Sequence, residues 1–140
     1  MEKPRPRLGC AVVVFDEEKI LLGVRGKEPN YGKIIIPGGG VDFLEPLKKA
    51  GMREIREETG LEIELETLIG LYEIITPPNE HRVIAYYRAR KTGGTLKASS
   101  DLLDAKFYTR QEVQTLVDQG KTPNIITRVL TDIGWYTPKH

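Results

Sequence analysis

The chain carries a single cysteine, Cys10, among 140 residues, which excludes an intramolecular disulfide framework and a cysteine-built zinc cage. It has no excess of charge of either sign: 21 basic side chains stand against 20 acidic ones, for a formal net charge of +1. Bulk charge therefore gives no hold on long nucleic acid or a membrane surface, and phosphate recognition has to be local. Long apolar runs are missing as well, the stretch from Leu8 to Phe15 being far short of the roughly 18 residues that a membrane span requires. The basic lead Met1 to Arg7 runs into that stretch and then into Asp16-Glu17-Glu18 without a cleavage site, so a cytoplasmic protein is expected. No internal repeat, low-complexity tract or linker divides the sequence. Residues 1–140 are expected to form one domain, able to bury roughly two thirds of its unfolded surface.

What is present is a mixture of strand and helix patterns with no regular alternation. Cys10 to Phe15 reads as a buried strand, with Cys10 as a small hydrophobe, and Asp16 to Lys19 turns it into a second strand, Ile20 to Arg25. A polar loop, Gly26 to Lys33, precedes the short strand Ile34-Ile35-Ile36. Pro37 then stops that strand, and Gly38-Gly39-Gly40 is read as a turn free to adopt positive φ and to approach another group closely. From Glu45 to Thr59 the spacing is helical, with Leu44, Leu47, Gly51 and Ile55 on the core face and Gly60 as the stop. Glu62 to Thr67 alternates as a half-exposed strand, Leu68 to Ile75 continues extended until Pro77-Pro78 breaks it, and Val83 to Ala89 reads as a strand. Ser99 to Asp104 is read as a polar loop. Thr109 and Glu112 have the spacing of a capping box for a helix to about Asp118, and Thr122-Pro123 that of a threonine cap before a helix from Asn124 to Ile133.

Chemistry concentrates in residues 38–66. Seven acids and four bases lie between Glu45 and Glu66, a local net of −3. On a helix Glu54 and Glu58 are four apart and Glu54 and Glu57 three apart, so three carboxylates converge on one side of a turn. Like charges at these spacings repel. One resolution is a solvated acidic face with Arg53 and Arg56 as ordinary ion partners. The other is a hard divalent cation such as Mg²⁺, which binds through a few carboxylates and substrate phosphates. The glycine run leading straight into the acidic helix favours the second, because free backbone groups beside an acid cluster suit a metal and phosphate site.

The stretch from Gly39 to Leu61 resembles the signature of the Nudix hydrolase family: a glycine, five residues, a glutamate, seven residues, then Arg-Glu-apolar-x-Glu-Glu-x-Gly-apolar. All nine constrained positions match, at Gly39, Glu45, Arg53, Glu54, Ile55, Glu57, Glu58, Gly60 and Leu61. The resemblance implies an α/β/α sandwich with a mixed β-sheet. It implies an enzyme that cleaves a nucleoside diphosphate linked to another group, either a nucleoside triphosphate as in MutT or ADP-ribose, releasing a nucleoside monophosphate. By that similarity Glu57 and Glu58 hold Mg²⁺ or Mn²⁺, joined by Glu54 and by a backbone carbonyl at Gly38 or Gly39. Glu45 and Arg53 orient the helix and its ligands, and Gly38, Gly39, Gly40 and Arg25 line the phosphate side. The general base is Glu54 or another box glutamate, or else an acid on a later loop, where Asp101 and Asp104 are the candidates for base or outer metal ligand.

Arg25 is either a guanidinium fork steering a phosphate or an exposed strand charge. Tyr31, Tyr72, Tyr86 and Tyr87 are candidates for stacking a base, although strand tyrosines mostly pack. His81 and His140 have no partner at ligand spacing and read as surface residues. Pro77, 16 residues beyond Leu61, is similar to a marker of the family's ADP-ribose pyrophosphatases, whereas the compact length is more like the MutT type. The sequence does not fix an oligomeric state, but many members of the family are dimers, and the resemblance makes a homodimer one of the expected assemblies. Some related domains bind nucleotides as silent regulators, but those lose box glutamates that this chain keeps.

Overall fold

A computed structural model describes residues 3–139. Seven strands and three helices follow in the order β1 (Arg7–Asp16), β2 (Lys19–Arg25), β3 (Ile34–Ile35), β4 (Gly38–Gly40), α1 (Leu47–Thr59), β5 (Leu61–Thr76), β6 (Glu80–Gly94), β7 (Leu102–Thr109), α2 (Arg110–Asp118) and α3 (Asn124–Asp132). The sheet is mixed. Its main path runs β3-β2-β1-β6-β5, with β4 paired to β1 and β7 to β2. β1 and β6 are parallel, Cys10 opposite Ala85, and the other pairs are antiparallel.

Central β1 is buried on both faces, as a strand covered by helices on each side must be, which is why it reads as an unbroken apolar run. Its alternate residues serve opposite layers. Ala11 and Val13 pack with Val113 and Val117 of α2 and Ile126, Val129 and Leu130 of α3. Val12 and Val14 face Ile55 of α1, and Cys10 faces Ala50 of the same helix. Helices therefore cover both sides of the sheet, the α/β/α sandwich that the sequence resemblance implies. No helix among the described residues is long and apolar enough to cross a membrane.

Several boundaries differ from the sequence reading, each for a local reason. α1 begins at Leu47 instead of Glu45, because Pro46 sits in extended conformation (φ −62°, ψ 145°) at its N-cap. Leu44 is outside the helix, 86% exposed with φ +69°, and not on the core stripe. At the other end Gly60 closes α1 as expected, in the left-handed conformation at φ +74° with its N–H on the Arg56 carbonyl. Ser99 to Asp104 is not all loop, since β7 starts at Leu102, whose buried side chain joins the α1-side core. The capping box at Thr109 and Glu112 is formed. The Thr122 cap is not: Pro123 is the N-cap of α3, and the Thr122 hydroxyl pairs with that of Thr127 at 2.7 Å.

Candidate active site

Gly38, Gly39 and Gly40 form β4, antiparallel to β1 with Gly39 opposite Cys10, and none of the three has positive φ. The expected free turn is thus corrected to a short strand, although the expected close approach is real. A Cβ at Gly38 would lie 2.5 Å from the Ala11 Cα, and one at Gly39 would lie 2.5 Å from Glu54 Oε2. Only a residue without a side chain lets this backbone lie between β1 and the acidic face of α1.

Arg53 organises that face. Its guanidinium forks onto Glu45, Nε to Oε2 at 2.7 Å and Nη2 to Oε1 at 2.9 Å, which joins the segment before α1 to the helix itself. Nη2 also donates to the Gly40 carbonyl at 3.0 Å, and Nη1 to Glu54 Oε1 at 2.9 Å and Glu57 Oε1 at 3.2 Å. The hydrogen bonds from Arg53 hold the Glu45 carboxyl down at about 2, and they leave Arg53 a permanent cation. Asp42, which the sequence reading passed over, lies 3.7 Å from the same guanidinium and accepts the Glu45 N–H on its carbonyl. Its position inside the matched stretch was the available signal.

The three carboxylates do not share one environment. Glu57 is exposed and leans on Arg53. Glu54 is partly buried, and burial pushes its carboxyl above the usual range in spite of Arg53. Glu58 is only 4% exposed. It accepts the Gly38 N–H on Oε1 at 3.1 Å and makes no ion pair among the described residues. Burial first, and then the charge of Glu54, push the Glu58 carboxyl up to about 8, opposed by the Gly38 hydrogen bond and by Arg25. The expected convergence is therefore partial: as they stand, no three carboxylates among the described residues are gathered closely enough to ring a cation. Glu57 is held on Arg53 while Glu58 turns inward to Gly38.

Of the two later acids, Asp101 reaches the site, its charge acting on both Glu54 and Glu58. Asp104 lies within β7 opposite Val24, and its charge acts on Tyr108 instead. The segment carrying Asp101 is tied to the end of α1 by the Ser99 N–H on the Glu58 carbonyl at 2.9 Å. Arg25 closes β2, and its Nε donates to the carbonyls of Lys27 and Pro29 at 3.1 and 2.6 Å, so that atom holds the following loop. Tyr72, Tyr86 and Tyr87 are buried in the core and Tyr31 is exposed. His81 sits on the surface, 2.8 Å from Glu73, and His140 lies outside the described residues.

Chemically, the arrangement offers hard oxygen donors around a backbone cradle and, among the described residues, a buried carboxylate without an ion-pair partner and one carboxylate, Glu54, whose Oε2 is unclaimed. A family model described as the NUDIX domain matches residues 5–128. The chain is similar to an ADP-ribose pyrophosphatase of Methanocaldococcus jannaschii, 34% identical over 106 residues that cover 74% of this chain and 62% of that protein. It is also similar to an 8-oxo-dGDP phosphatase of Homo sapiens, 33% identical over 109 residues, 75% of this chain but 32% of that protein. The chain thus spans less than two thirds of either relative. Among solved structures, a MutT NUDIX hydrolase from Burkholderia pseudomallei superposes with a TM-score of 0.81 at 27% identity, over 92% of this chain and 98% of that one.

Proposed function

The chain belongs to the NUDIX family, and we propose on that footing that it is a divalent-metal-dependent pyrophosphohydrolase acting on a nucleoside diphosphate linked to another group. The observation that carries this reading is Glu58: a carboxylate 4% exposed, beside Glu54, with the Gly38 backbone N–H as its only hydrogen-bond donor among the described residues. A folded protein retains an uncompensated buried acid at a cost, and a bound cation removes that cost. The donor set fits Mg²⁺ or Mn²⁺, since it consists of carboxylate and carbonyl oxygens.

Glu57, Glu58 and the Gly39 carbonyl would hold the metal. When bound, it neutralises charge on the pyrophosphate and makes water a competent nucleophile at neutral pH. The other roles belong to the chain itself. Arg53 occupies Oε1 of Glu54, which leaves Oε2, beside Gly39, to take the proton of the attacking water. Burial of Glu54 raises its basicity for that task. Glu45 holds Arg53, and through it the spacing of Glu54 and Glu57, so it is a positioning residue. The water oxygen bonds to phosphorus and the bridging P–O bond breaks. The products are a nucleoside monophosphate and the remaining group with its phosphate.

The test is product release from ADP-ribose, nucleotide sugars, dinucleoside polyphosphates and ordinary and oxidised nucleoside triphosphates, with Mg²⁺, Mn²⁺ or EDTA present. Metal-dependent appearance of a nucleoside monophosphate is expected. Hydrolysis of no member with either metal would overturn the reading in favour of a silent nucleotide-binding role.

A further inference from the structure

Lys27, on the loop after β2, has no part in the family signature, yet the structure ties it to Asp101, the later acid that reaches the site. The Gly26 N–H donates to the Asp101 carbonyl at 2.7 Å, and the Lys27 Nζ lies 2.9 Å from Asp101 Oδ2. Asp101 is in turn on the segment that Ser99 fastens to the Glu58 carbonyl. Lys27 is therefore paired with the acid whose charge acts on both Glu54 and Glu58. Its backbone is fixed, because Arg25 Nε donates to the carbonyls of Lys27 and Pro29. Its side chain is not confined, remaining 54% exposed.

The cations around the site differ in how far they are already committed. Arg53 is spent on Glu45, Glu54, Glu57 and Gly40, and Arg56 turns away to Glu62 at 2.9 Å. Arg25 has given its Nε to the loop. Lys27, like Arg56, is engaged by a single half-exposed carboxylate, but its partner is Asp101, whose charge acts on Glu54 and Glu58, whereas the partner of Arg56 is Glu62 on β5; exposed pairs of this kind are weak. A weak exposed pair of this kind leaves the ammonium free to exchange onto a phosphate oxygen, with which it also makes a charge-assisted hydrogen bond.

We propose that Lys27 is a specificity-determining residue: parked on Asp101 in the free protein, its ammonium meets negative charge on the distal, non-nucleoside group of the substrate. The substrate class favoured is then a nucleoside polyphosphate, whose distal group is itself phosphate, over a nucleotide whose distal group is a neutral sugar. This inference rests on the functional reading above and selects among its substrates.

Two pairs of substrates isolate the distal group: ATP against ADP-ribose, and GTP against GDP-mannose. Within each pair the nucleoside diphosphate is the same. With Mg²⁺, the wild type is expected to prefer the polyphosphate of a pair in kcat/KM. Lys27→Met is expected to lower the ratio of polyphosphate to sugar substrate at least tenfold, mainly through KM, and Lys27→Arg to restore most of it. Binding of the non-hydrolysable methylene analogues, followed by calorimetry, should show the same change in ratio without turnover. A wild type that prefers the sugar substrates, or a Lys27→Met variant that keeps the wild-type ratio or loses both substrates equally, overturns the assignment while leaving the hydrolase reading intact. If no nucleotide is bound or cleaved, both fall together.

Discussion

Replacing Glu58 with glutamine should make the metal-free protein more stable, and the gain should depend on pH in one direction only. Glutamine keeps an oxygen for the Gly38 N–H and removes the group that would otherwise have to ionise in a site that is 4% exposed. The carboxyl titrates at about 8 in the fold against 4.5 for the ordinary group. Because the folded value is the higher one, protonated Glu58 costs nothing below pH 4.5. Stability is then lost as pH rises from there, and the loss levels off above the folded value. At pH 7 the unfolded group is ionised and the folded one is still largely protonated, so the cost approaches 2.5 pH units at about 1.36 kcal/mol each, or about 3 kcal/mol. Relaxation of the site reduces this, and a gain for Glu58→Gln of about 1–3 kcal/mol at pH 7 is expected. Urea unfolding of both proteins in EDTA at pH 5, 7 and 8.5 measures it, the gain being smallest at pH 5 and largest at pH 8.5. Added Mg²⁺ should then stabilise the wild type more than the variant, since only the wild type offers the full ligand set. A variant less stable than wild type at pH 7 in EDTA, or a difference that does not change with pH, would refute the claim that Glu58 is an uncompensated buried acid.

Two further outcomes follow from the same geometry. Gly39→Ala places a Cβ 2.5 Å from Glu54 Oε2 and drives that carboxylate off its position against Arg53, so turnover should fall tenfold or more. Steady-state kinetics beside a thermal melt separates this from unfolding, and wild-type turnover in a folded variant would count against Glu54 Oε2 as the proton acceptor. Cys10 is fully buried, and burial pushes its thiol up to about 11. A disulfide reagent at pH 8 should therefore find almost no thiol in the native protein and one per chain in denaturant; a stoichiometric reaction of the native protein within minutes would contradict that packing.

How much of the site could be read from the sequence depends on whether its parts are held by one element or by several. Glu45, Arg53, Glu54, Glu57 and Glu58 were legible because one helix and its lead-in carry them all, and helical spacing fixes their neighbours. The same spacing also contains the burial of Glu58, which continues the core stripe of Gly51 and Ile55 at the next three-residue step. Read only as a cluster of like charges, the three acids look equivalent. Read against the stripe, Glu58 belongs to the core face and Glu57 to the solvent face. Asp101 and Asp104 could not be separated in this way, because the start of β7 decides between them: pairing from Leu102 puts Asp104 inside a strand and leaves Asp101 in the turn beside the site. That start is set by Leu102 packing beneath α1, a contact between segments some fifty residues apart that no local pattern records.

The glycine run was hidden for a different reason. Glycine has poor strand propensity, so three in a row announce a turn. Here the propensity is overridden because the strand is defined by what lies against it. Ala11 on one side and Glu54 on the other leave room for backbone alone, and β1 supplies the hydrogen bonds that align it. The absence of side chains is what lets β4 join the candidate site: it brings the Gly38 N–H to Glu58 and the Gly40 carbonyl to Arg53. A substitution that improved local strand propensity at Gly38 or Gly39 would therefore force apart the sheet and the acidic helix that the site needs in contact.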